Sequence, residues 1–139
     1  MTHEQTWTSA VPATSPLHAA LLAFPIACFT LTVATDISYV QTLNLLWLHF
    51  SEWLLFAGLV FAVVDLVVRV IELAFRRIKP PWPAILGGIV VLILATLNNF
   101  IHTADGWTAV VPYGLAVSIA TVIAMAATWW LGRKGVRHV

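Results

Sequence analysis

The chain has 139 residues, the length of one domain, and is 60% hydrophobic and 9% charged, with mean hydropathy +0.92 and formal net charge +1. A soluble domain carries about a quarter charged residues, so this composition excludes an ordinary soluble enzyme or binding module. The seven Lys and Arg form no extended basic surface for nucleic acid, and the single cysteine, Cys28, excludes an intrachain disulfide or a CxxC redox or zinc motif.

In chain order, residues 1–15 read as a polar tail punctuated by Pro12. They contain Glu4 and no basic n-region, unlike a cleavable signal peptide, so the first apolar segment is expected to remain as a span. That segment predicts a first helix over about 17–40, with Pro16 at its first turn, Pro25 inside it as an expected kink, and Asp36 and Tyr39 marking its exit. A second helix over about 43–77 would be roughly 50 Å long at 1.5 Å per residue, more than the ~30 Å bilayer core, so it should tilt or project. Its Asp65/Arg69 and Glu72/Arg76 pairs are spaced i,i+4, which suits ion pairing along one helix. Lys79-Pro80-Pro81-Trp82-Pro83 cannot continue that helix. A third helix follows over about 82–102. A fourth runs over about 108–131, with Pro112 in its first turn and Gly132 closing it. Residues 133–139 read as a short basic tail.

Four spans place both termini and the 76–83 connection on one side of a membrane, and the 36–48 and 102–109 connections on the other. All of Arg69, Arg76, Arg77, Lys79, Arg133, Lys134 and Arg137 then belong to the first side. Cytoplasmic loops are rich in Lys and Arg, so that side reads as cytoplasmic. The expected fold is an all-α, integral membrane, antiparallel four-helix transmembrane bundle occupying 16–132, with N-in/C-in orientation. Tryptophans fall at both boundaries, with Trp82, Trp129 and Trp130 at the basic one and Trp47, Trp53 and Trp107 at the other.

The polar residues gather on the side without Lys or Arg: Asp36, His49, Glu52, Asn98, Asn99, His102 and Asp105. His49/Glu52 and His102/Asp105 are each spaced i,i+3, and Asn98 lies one turn before His102 on the same face. One reading is structural: these residues cap helices, hydrogen-bond across the bundle and meet water at the headgroup boundary. The other is a site. His49, Glu52, His102 and Asp105 offer a ligand set for Zn, Cu or non-haem Fe. Alternatively His49 and His102 would ligate a haem b from two sides, with Asn98 beside it. Proton or small-solute handling is a third reading. His18, near the start of the first helix, is expected to hydrogen-bond Asp65 or a neighbouring carbonyl. Ser118 and Thr121 on the fourth helix are expected to hydrogen-bond between helices. No nucleophile with its base, no phosphate-cradling glycine loop and no dinucleotide fingerprint is present.

The segments SPLHAALLAFPIA (15–27), WLHFSEWLLFAGLVF (47–61) and NNFIHTADGWTAVVPYGLAVS (98–118), in this order, resemble the bacterial family of domain of unknown function 2231, over about residues 15–132. The resemblance implies a small four-helix protein of a bacterial inner membrane and supplies no activity. Fusion of some relatives to Rieske-type iron–sulfur domains implies a redox setting. Ala104 stands where the family pattern has a basic residue, and the tail after Trp130 is shorter and more basic than the family's glycine-rich ending. Two functional expectations result. The first is a non-enzymatic membrane subunit or scaffold, embedded in the lipid bilayer as a homo-oligomer or with another membrane protein. The second is a haem- or metal-binding electron-transfer protein using His49 and His102, partnered with a redox protein.

Overall fold

A computed structural model describes residues 16–76, 82–103 and 110–135, with side chains over 19–75, 82–103 and 110–131. The chain is all-α. The elements are α1 (Pro16–Thr42), α2 (Leu45–Arg76), α3 (Trp82–Thr103) and α4 (Leu115–Gly135), with a wide helical turn at Val110–Gly114 leading into α4. All four helices are long and apolar enough to cross a membrane.

The second helix, of 32 residues, is about 48 Å long, so it exceeds the bilayer core, as its sequence requires. The first runs on through Pro25 to Thr42, so Asp36 lies inside it and not at its exit. Its hydroxyls bond back one turn: Thr30 donates to the carbonyl of Ile26, Thr32 to Cys28 and Ser38 to Ala34. This is how a polar side chain is tolerated in a membrane helix without a partner on another helix. Only Leu43 and Asn44 separate α1 from α2. Leu43 takes a left-handed conformation (φ 52°) and its N–H closes onto the Tyr39 carbonyl at 2.8 Å. Asn44 then caps α2, its Oδ1 accepting the Leu46 N–H at 3.0 Å.

The start of the fourth helix differs from the sequence expectation. Val111 is extended (φ −121°, ψ 119°), so the regular helix α4 begins at Leu115, whereas the expected start near residue 108 lies outside the described residues. A residue before proline is pushed out of the helical region by the ring, which accounts for the break. At its other end α4 continues past Gly132 to Gly135.

The helices pack most extensively as α1 with α2 and α3 with α4. Smaller contacts of α2 with α3 and α1 with α4 complete the bundle. The apolar centre is Phe29, Leu55 and Ala95, with Leu59, Val91 and Met125 against it. Close approach is set by glycine at two points. A Cβ on Gly58 would come within 2.6 Å of Phe29 Cε1, and one on Gly87 would collide with the Thr128 side chain. Phe24 of α1 stacks on Phe61 of α2, with ring centroids 4.3 Å apart. Large apolar side chains elsewhere, among them Leu31, Phe56, Val67, Ile93 and Ile123, are exposed on the bundle's outside. For a protein in lipid that exterior is the expected solvent-facing surface.

Candidate functional site

Seven residues on from Phe29, Ala95 and, in the reverse sense, Met125 stand Asp36, His102 and Ser118. Seven residues are about two helical turns, so these positions share faces with the apolar centre and point into the bundle about 10 Å away from it. Ser51, one turn before Leu55, joins them from α2. The result is a buried polar layer to which every helix contributes.

Asp36 is its hub. His102 Nε2 lies 2.9 Å from Asp36 Oδ1, and both side chains are 0% exposed. Ser51 Oγ donates to Oδ1 at 2.5 Å, and Ser118 Oγ donates to Oδ2 at 2.6 Å. Asn98 Nδ2 donates to Ser118 Oγ at 2.8 Å. Thr35 Oγ1 lies 2.7 Å from Ser51 Oγ, and with the serine hydrogen committed to Asp36 the threonine is the donor there. Gly114 closes the layer over the imidazole: a Cβ at this position would stand 3.0 Å from His102 Cε1. Asn98 Oδ1 is the one buried oxygen of this group without a protein partner.

Hydrogen-bond chemistry fixes the proton count. His102 Nδ1 lies 2.9 Å from the Asn98 carbonyl, which only accepts, so Nδ1 carries a hydrogen. The Nε2–Oδ1 contact needs a second hydrogen, since two bare acceptors repel at that distance. Asp36 and His102 therefore share one proton at that contact, and the pair sums to zero charge whichever atom holds it. Three hydrogens directed at Asp36 from Ser51, Ser118 and His102 suit a carboxylate facing an imidazolium. A neutral sum is what a low-dielectric interior tolerates.

The grouping of serine, histidine and aspartate is not a hydrolytic triad. Both serines donate to Asp36 and both imidazole nitrogens are already engaged, so neither serine has a base. The side chains of Asp36 and His102 are fully buried in the layer. Two grooves on the bundle surface, of about 270 and 310 Å³, are lined by other residues, the first between α1 and α4 around Thr30, Ile37 and Ile119.

Of the residues picked out by spacing, the structure brings His102 and Asn98 together in this layer. His49 and Glu52 form a separate pair, with Nδ1 and Oε2 3.3 Å apart, and the His49 side chain is 64% exposed. A haem or metal held jointly by His49 and His102 requires a free nitrogen on each, whereas both nitrogens of His102 bond to protein atoms. The donor set therefore does not fit such a group. Among the described residues, no cluster of three or more His, Cys, Asp or Glu is placed to hold a metal ion. Asp105, and the side chain of His18, lie outside the described residues.

Asp36 and Ser51 are the functional residues that spacing alone does not single out. The signal was present: Asp36 is a lone carboxylate in an apolar helix, and such a residue needs a named partner. Near the other end of the bundle, Asp65 and Arg69 pair within α2 at 2.9 Å, as their i,i+4 spacing indicates.

A family model described as "Predicted membrane protein (DUF2231)" matches residues 14–138. No curated protein and no solved structure matches the chain.

Proposed function

This chain belongs to the DUF2231 family of membrane proteins, and we propose that it is a non-enzymatic membrane subunit or scaffold of a bacterial inner membrane, locked into one helix arrangement by the Asp36–His102 layer. The observation that carries the reading is that all four helices meet in one fully buried, charge-neutral network. Such a network specifies register and neighbours, and it has no face from which a substrate is reached.

The bundle is antiparallel in this reading. Contacts run in opposite order along paired helices: Phe24 with Phe61, Phe29 with Gly58 and Asp36 with Ser51 for α1 and α2. For α3 and α4 the order is Gly87 with Thr128, Asn98 with Ser118 and His102 with Gly114. Both termini are cytoplasmic, because every Lys and Arg threads to that side. A tag at residue 105 should react only from the periplasmic side, and reaction from the cytoplasm alone would reverse the orientation.

The scaffold reading is tested by reconstituting the protein in liposomes with an internal pH dye. Wild type and Asp36→Asn should show the same proton leak as empty vesicles, while Asp36→Asn lowers thermal stability. A proton flux that Asp36→Asn abolishes would sink the scaffold and make the layer a conduction site.

A further inference from the structure

The second groove, of about 310 Å³, lies between α2 and α3 and is lined by Glu52, Trp53, Phe56, Asn99 and Thr103. We propose that it binds a membrane lipid through its headgroup ammonium, with phosphatidylethanolamine as the occupant.

Depth is the first argument. The third helix has 22 residues and so is about 33 Å long, close to the thickness of the hydrocarbon core. Thr103 ends that helix and Asn99 is one turn earlier, so the groove opens at headgroup level. Hydrogen-bond polarity is the second. Thr103 Oγ1 commits its hydrogen to the Asn99 carbonyl at 2.9 Å and turns only lone pairs outward. With the Glu52 carboxylate, Thr103 gives the groove acceptors, as a group with several N–H donors requires. A primary ammonium supplies three such donors.

Charge complementarity is the third argument. Among the described residues His49 is the basic side chain that pairs with Glu52, and the sequence places no Lys or Arg before Arg69 or between Lys79 and Arg133. Aromatic geometry is the fourth. The Trp53 and Phe56 rings stand 6.3 Å apart at 87°, forming two walls at a right angle beside the carboxylate, and Trp53 is 71% exposed. A cation next to such faces gains from the ring quadrupoles.

Full-length protein in detergent is titrated with phosphatidylethanolamine or phosphatidylglycerol of identical acyl chains, and the lipid retained is read by native mass spectrometry. Retention of phosphatidylethanolamine should exceed phosphatidylglycerol by about five- to tenfold, the factor expected of one cation–aromatic contact plus one carboxylate contact. Glu52→Gln and Trp53→Phe should each reduce that preference while leaving the melting temperature of the lipid-free protein unchanged. Equal retention of the two lipids, or a preference that survives Glu52→Gln, overturns the proposal. Glycerophosphoethanolamine, which carries the headgroup without acyl chains, should not compete at equal concentration; if it competes fully, the groove takes a free ammonium compound and the lipid is wrong.

Discussion

Two carboxylate–cation pairs in this protein have the same contact distance and different consequences. Asp65 and Arg69 meet at 2.9 Å within α2, with Arg69 40% exposed. Asp36 and His102 meet at 2.9 Å between α1 and α3, with neither side chain exposed. The first pair would form in an isolated helix, since its geometry is set by one turn of α-helix. The second exists only when the bundle is assembled, and its neighbours Ser51 and Ser118 bring in the remaining two helices. Proximity of charges therefore says little about their role. What matters is how many separate elements must be in place for the contact to exist.

The largest expected effect comes from His102→Ala, which leaves Asp36 buried without its cation. Unfolding in mixed micelles should show a loss of about 3 kcal/mol, at the low end for a broken buried pair because membrane-embedded unfolded states also find partners. A double variant, Asp36→Leu with His102→Leu, should be more stable than either single change, since no uncompensated charge remains. If the double variant is instead the least stable of the three, the pair contributes more than it costs to bury. Next in size is Gly114→Val, which drives a branched side chain into the imidazole and should cost about 1–3 kcal/mol by overpacking. Ser118→Ala strips one donor from Asp36 and one acceptor from Asn98, and should cost about 1–2 kcal/mol in the same assay. The smallest effect is expected at the other pair: Arg69→Gln should change stability by less than about 1 kcal/mol, and that change should shrink further in high salt. A loss at Arg69 equal to that at His102 would erase the distinction between the two pairs.

Four spans are legible because each is a run of about 20 apolar residues, a requirement of bilayer thickness that no local detail overrides. The same holds for Asp65–Arg69, whose partners lie one turn apart. Part of the buried layer is legible too: Asn98 and His102 share a face at i,i+4. Their connection to Asp36 is not, because it depends on the register between α1 and α3, which are separated in sequence by the whole of α2. Asp36 reads as a helix exit because a charge normally ends a span, and the three donors that make it tolerable come from other helices. The delayed start of α4 has a local cause at Val111–Pro112, where the sequence places a proline equally compatible with a helix's first turn. His49 and Glu52 pair as their spacing indicates, but on the outside, and no spacing rule distinguishes an outward i,i+3 pair from an inward one.

The shared proton of the polar layer also has an electrical meaning. A transmembrane voltage acts on charge in proportion to the distance it travels across the membrane, about 2.3 kcal/mol for one charge crossing the full thickness at 100 mV. Transfer of the proton between His102 Nε2 and Asp36 Oδ1 moves it by roughly 1 Å of a ~30 Å core, so the same voltage contributes under about 0.1 kcal/mol. Paired with His102, Asp36 therefore adds almost nothing of its own to any response of the bundle to the membrane voltage.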